Sequence, residues 1–154
     1  MENIKVRFKT LVWKFRETTI KYPDQEHIPK KKITSPSDAY DLFHPLFKEE
    51  PTEIFIVILL STYNRVIGYD IISSGSLNAS VVDPRGVFRS AIVSNCANII
   101  IAHNHPSGNP EPSNEDISIT RTLVESGKIL GINIFDHLIF AEDKFTSFVE
   151  RRLI

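Results

Sequence analysis

The sequence predicts one mixed α/β domain whose helices pack on a central β-sheet. Three observations carry that expectation. The run Ile54-Phe55-Ile56-Val57-Ile58-Leu59-Leu60 is apolar throughout and rich in β-branched residues, the pattern of a strand buried on both faces. Ser35-Pro36 and Asp83-Pro84 each set a capping residue before a proline, which is how many helices begin. Apolar runs at 99–102 and 132–140 then flank a third helix start at Ser113, so strands and helices interleave.

Taken in order, Ile4, Val6 and Phe8 alternate with Lys5, Arg7 and Lys9, the period of a half-buried strand, and the apolar pattern resumes from Leu11 to Phe15. Residues 21–32, with Pro23, Pro29 and many charges, read as a loop. Ser35 as N-cap, Pro36 at the first helical position and Asp38 as the partner in a capping box open a helix carrying Tyr40, Leu42, Phe43 and Leu46. After the strand at 54–60, residues 61–65 form a polar turn, 66–73 a second strand, and Gly75 a bend. Asp83-Pro84 opens a helix through Ala97 that turns Val87, Phe88, Ala91 and Ile92 inward. A short buried strand at 99–102 leads into a loop, 103–112, holding three prolines. Ser113 caps a helix to about Ser126, closed by Gly127 or Gly131. Strands at 132–140 and 145–149 complete the chain.

Length and composition fit one soluble domain: 154 residues, 42% apolar and 24% charged. The longest apolar run, 54–60, is far short of the ~18–20 residues of a membrane span, and the N-terminus has no signal-peptide core. One cysteine, Cys96, excludes an internal disulfide framework and a cysteine-rich zinc site, and suits inert core in a reducing cytoplasm. The net charge of −1 is unevenly spread: residues 1–32 hold nine Lys/Arg against four Asp/Glu, and the remainder nine against fifteen. The basic segment, with Lys30-Lys31-Lys32, is expected to be a solvated edge and loop, with weak affinity for nucleic acid.

The informative stretch is His103-Asn104-His105-Pro106-Ser107-Gly108-Asn109-Pro110-Glu111-Pro112-Ser113-Asn114-Glu115-Asp116. Alternate residues of an extended segment point the same way, so His103 and His105 face one point. The proline-rich loop returns Asp116, near the start of the next helix, to the same place. Two imidazole nitrogens and one carboxylate oxygen make a three-ligand zinc site with one position open to water, the arrangement of a catalytic ion. His137 follows Asp136 on a strand, where it suits a group behind the ligands, a substrate-side group or a structural histidine; His27 and His44 carry no assignment.

The spacing His-x-His-x(7)-Ser-x(2)-Asp resembles the JAMM motif of JAB/MPN-domain metalloproteins, which adds a glutamate upstream on a strand. The adjoining residues, with Asp83-Pro84-Arg85, Asp136-His137 and Ser147-Phe148-Val149-Glu150, resemble the RadC family more specifically. The resemblance spans 35–154, and 1–34 is expected to be an N-terminal strand and basic loop, part of that domain or appended to it. It implies a cytidine-deaminase-like, three-layer α/β/α fold with a central mixed sheet. Full-length members carry an N-terminal helix-hairpin-helix region, which residues 1–34 do not match.

Among Glu49, Glu50 and Glu53, the resemblance implies that Glu53 is the upstream glutamate, since it stands two residues before Phe55 in the family's Glu-x-Phe pattern. Glu53 would take a proton from the zinc-activated water and deliver it to the leaving amine. Ser113 would donate to the developing oxyanion, or serve as a helix cap, or both. The implied activity is a zinc-dependent metallohydrolase cleaving a peptide or isopeptide bond of an unidentified protein substrate. The alternative is a non-catalytic module associated with DNA repair or mobile-element DNA processing. An HNH nuclease needs its histidines on a ββα hairpin and helix. A zinc deaminase needs His-x-Glu and Pro-Cys-x-x-Cys, which a chain with one cysteine cannot supply.

Overall fold

The computed structural model describes residues 9–22, 31–48, 50–75 and 82–154. In chain order the elements are α1 (Pro36–Lys48), β1 (Ile54–Leu60), β2 (Val66–Ser74), α2 (Pro84–Val93), β3 (Asn98–Asn104), α3 (Asn114–Leu130), β4 (Asn133–Ala141) and β5 (Lys144–Ser147). The strands form one sheet in the order β2-β1-β3-β4-β5. β3 and β4 pair in parallel, joined through α3, and the other three pairings are antiparallel, so the sheet is mixed.

Strand periodicity explains why β1 is apolar at every position. Ile54, Ile56, Ile58 and Leu60 face Leu42, Phe43 and Phe47 of α1, while Phe55, Val57 and Leu59 face Val87, Phe88 and Ala91 of α2 and Leu123 of α3. The sheet thus lies between α1 on one side and α2 with α3 on the other: three layers, α/β/α, as the family resemblance implies. Among the described residues, no helix is long and apolar enough to cross a membrane.

Local chemistry sets the helix starts. Asp38 accepts the Ser35 N–H at 2.9 Å while its own N–H donates to Ser35 Oγ at 3.3 Å, the expected capping box of α1. Asp83 caps α2 by accepting the Arg85 N–H at 2.8 Å, with Pro84 at the first position.

Several boundaries differ from expectation. α2 stops at Val93, because Asn95 adopts φ 51° and turns the chain; Ile92 then points outward, 57% exposed, rather than into the core. β3 continues through His103 and Asn104, which pair with Ile139 and Phe140 of β4, His103 also with Phe55 of β1, so the loop begins two residues later. β5 ends at Ser147, and Phe148 and Val149 lie in a turn. Gly131, at φ 69°, closes α3. Gly127 sits inside α3 for a different reason: a Cβ there would lie 2.5 Å from the Ile132 carbonyl oxygen and 3.3 Å from the Phe88 ring.

The predicted strand residues Ile4, Val6 and Phe8 lie outside the described residues. Residues 9–22 show no strand, and Leu11, Val12 and Phe15 are exposed. Trp13 instead lies 5.6 Å from the Arg89 guanidinium, and the Tyr22 hydroxyl donates to the Leu42 carbonyl at 2.9 Å. Trp13 and Tyr22 thus meet other elements through contacts that need no sheet hydrogen bonds. The predicted loop 21–32 ends in a bridge between Lys32 and Arg65.

Candidate metal centre

Three elements meet at the carboxyl end of β3. His103 is the next-to-last residue of that strand and is fully buried. His105 is the first residue beyond it, fastened by its N–H to the Phe140 carbonyl of β4 at 2.7 Å. Asp116 is in the first turn of α3. Gly108, at φ 78°, turns the loop between them, and its N–H donates to the His105 carbonyl at 3.0 Å. Arg151 Nη1 holds Glu111 at 2.8 Å from the far end of the chain.

The polar atoms converge. His103 Nε2 lies 3.0 Å from His105 Nε2 and 3.2 Å from Asp116 Oδ1, and His105 Nε2 lies 3.5 Å from Asp116 Oδ2. Ligands about 2.0–2.1 Å from a tetrahedral ion stand about 3.3 Å apart, close to these spacings. The protonation pattern fits as well. His105 Nδ1 lies 2.8 Å from the Asn109 carbonyl oxygen, an acceptor, so the neutral ring carries its proton on Nδ1 and turns its Nε2 lone pair to the cluster. The set His103, His105 and Asp116 could therefore hold a metal ion.

Ser113 and Asp116 form a capping box. Asp116 Oδ2 accepts the Ser113 N–H at 2.8 Å and its hydroxyl at 2.7 Å, and the Asp116 N–H donates to Ser113 Oγ at 3.1 Å. The Ser113 proton is thus directed at Asp116, which leaves Oδ1 facing His103. Burial alone would raise the Asp116 pKa, but hydrogen bonds to His103 and His105 hold the carboxyl far below the usual range. Donating to the Asp116 carboxylate raises the His105 pKa, and the charge of Glu53 adds to that.

Glu53 precedes β1 and is half-buried, with its carbonyl accepting the Gly75 N–H at 2.8 Å. Phe55 pairs with His103 in the β1–β3 register. Continuing that register two places sets Glu53 across from His105. Glu50 accepts instead from the Thr52 hydroxyl at 2.8 Å, and Glu49 lies outside the described residues.

His137 of β4 is fully buried behind His103, with its Nε2 2.7 Å from His103 Nδ1. Burial pushes its pKa well below the ordinary value, so the ring is neutral. Phe55 stacks on His103 with ring centres 6.0 Å apart, and Phe148 on His137 at 4.5 Å. Thr120, one turn after Asp116, completes the set: its Oγ1 lies 2.6 Å from His137 Nδ1 and 2.5 Å from the Asp116 carbonyl oxygen. Sequence reading missed Thr120. Its only signal was a four-residue step from Asp116, which places both on one helix face.

Comparison with known proteins places the chain. The RadC-like JAB domain family model matches residues 33–153. Proteins named "UPF0758 protein" are similar. The Methanosarcina mazei protein is 50% identical over 119 residues, 77% of this chain and 52% of that protein. Those of Salinibacter ruber and Clostridium beijerinckii are each 50% identical over 125 and 123 residues, covering 81% and 80% of this chain and 54% of each relative. The chain spans about half the length of these relatives. On the extent of the family match and this level of identity, the chain belongs to the RadC-like JAB domain family.

Proposed function

We propose that the chain is a zinc-dependent hydrolase that cleaves a peptide or isopeptide bond. The observation that carries this is the convergence of His103 Nε2, His105 Nε2 and Asp116 Oδ1 at spacings of 3.0–3.2 Å from the His103 nitrogen. Two imidazoles and one carboxylate suit zinc better than magnesium, and three protein ligands leave a coordination position for solvent. Zinc held there would supply Lewis-acid polarisation of a carbonyl and a water whose pKa falls to about 7.

The remaining work falls to this chain's own groups. Glu53, whose charge is felt at His105, accepts a proton at its carboxylate and returns it to the leaving amine. Ser113 holds Asp116 in place as a helix cap, and its hydroxyl becomes an oxyanion donor only by turning from Asp116 toward substrate. His137 buttresses His103 from behind. A single free, buried cysteine suits a cytoplasmic setting.

A screen of linear and isopeptide-linked peptides with the zinc-loaded protein tests this function. The wild type should cleave a subset, and Glu53→Gln should keep its zinc while turnover falls about 100-fold or more. Equal turnover by Glu53→Gln would remove Glu53 from the chemistry, and loss of zinc would make it a ligand.

A further inference from the structure

Thr120 is fully buried, and its hydroxyl touches two groups of opposite kind. One is the Asp116 carbonyl oxygen at 2.5 Å, and the other is His137 Nδ1 at 2.6 Å. A carbonyl oxygen has no proton to give, so the hydroxyl donates to it, as helical threonines often do to the residue four back. That uses the one hydroxyl proton. Toward His137 the oxygen can only accept, and His137 must carry its proton on Nδ1.

The other end of the chain of contacts sets the same direction. His103 Nδ1 lies 2.7 Å from His137 Nε2. A neutral His103 that offers its Nε2 lone pair to an ion has its proton on Nδ1 and needs an acceptor there. His137 Nε2 is an acceptor only when that ring is protonated solely on Nδ1. The hydroxyl of Thr120 and the ligating nitrogen of His103 therefore demand one and the same His137 tautomer.

We propose that Thr120 is a positioning residue that fixes, through His137, the tautomer in which His103 can bind a metal. The Asp116 carbonyl terminates the relay, so the backbone of one ligand sets the proton of another. The inference rests on His103, His105 and Asp116 being a metal centre. Replacing the hydroxyl with a methyl leaves His137 Nδ1–H with no acceptor. The ring then protonates Nε2 instead and donates to His103 Nδ1, which moves the His103 proton to Nε2, where it blocks the ion.

The test combines zinc affinity by chelator competition with nitrogen-15 NMR of labelled histidines in wild type, Thr120→Val and Thr120→Ser. In wild type His137 should be protonated on Nδ1. Thr120→Val should shift that proton to Nε2 and weaken zinc binding about 10–100-fold, and Thr120→Ser should restore both. Zinc binding by Thr120→Val within about twofold of wild type would overturn the proposal, as would a Thr120→Ser protein as weak as Thr120→Val. Should Thr120→Val not fold, the wild-type spectrum decides: a His137 proton on Nε2 overturns the relay. A wild type that shows the Nδ1 proton but takes up no zinc would overturn the metal centre and leave the relay standing.

Discussion

The Ser147 hydroxyl lies 2.5 Å from Oδ2 of Asp136, a carboxylate that is buried at the heart of β4. The other carboxylate oxygen accepts the His137 N–H at 2.8 Å and the Val149 N–H at 3.1 Å. Asp136 thus ties the C-terminal turn to the strand that carries His137. The turn in turn supplies Phe148 to the His137 ring and Arg151 to the loop before Asp116. The last residues of the chain are therefore part of the support of the metal centre, though none reaches it.

Asp136→Ala should destabilise the protein by about 2–4 kcal/mol, because it leaves the buried His137 N–H, the part-buried Val149 N–H and the Ser147 hydroxyl without an acceptor. Ser147→Ala, which removes one donor to Asp136 and the acceptor of the Glu150 N–H, should cost about 1–2 kcal/mol. Urea denaturation measures both. An Asp136→Ala protein within about 0.5 kcal/mol of wild type would show that the turn does not depend on this carboxylate.

Much of this support was visible in sequence only as separate fragments. The capping pairs at Ser35/Asp38 and Asp83/Pro84, the buried run of β1 and the histidine spacing are local patterns, and each was legible. Asp136, Ser147 and Thr120 act through contacts between elements far apart in the chain, which periodicity does not encode. Boundaries failed where a tertiary partner or an unusual backbone angle set them. β3 gained His103 and Asn104 from pairing with β4, and α2 lost its last turn to the left-handed Asn95. Gly127 and Gly131 looked alike as helix terminators. Only packing against Ile132 and Phe88 distinguishes the first as a close approach.

That distinction gives a second prediction. Gly127→Ala drives a methyl group against the backbone oxygen of Ile132 and should cost about 1–3 kcal/mol despite the better helix propensity of alanine. Thermal unfolding followed by circular dichroism measures it. A Gly127→Ala protein as stable as wild type would mean that α3 shifts freely relative to the start of β4.

Zinc affinity should depend on pH through His105. Its hydrogen bond to Asp116 raises the pKa above the ordinary value of about 6.5. In the metal-free protein the protonated pair stabilises the fold below about pH 6.5, and that contribution fades as pH rises through the raised folded value. Zinc must displace this proton, so its affinity should climb about tenfold per pH unit up to that value and then level. Chelator competition from pH 5.5 to 8 follows it. An affinity flat across about that range would mean that His105 is not a ligand.

Nucleic acid should bind weakly and without sequence preference. Residues 33–154 carry a net −6, which repels phosphate, and residues 1–32 carry +5. Contacts from Lys5, Lys9, Lys30, Lys31 and Lys32 should give a log–log salt slope near about −3. Fluorescence anisotropy across salt concentrations, with a Lys30/Lys31/Lys32→Ala variant, checks this. Sub-micromolar binding near about 150 mM salt that survives the triple substitution would contradict it and favour a DNA-directed role.

The central claim is that His103, His105 and Asp116 hold one catalytic zinc. Elemental analysis of purified protein, reconstituted with zinc and freed of excess, measures it most directly. Wild type should carry one zinc per chain, and the His103→Ala/His105→Ala protein, folded by circular dichroism, should carry none. A full zinc equivalent in the double variant, or none in the wild type, would contradict the account.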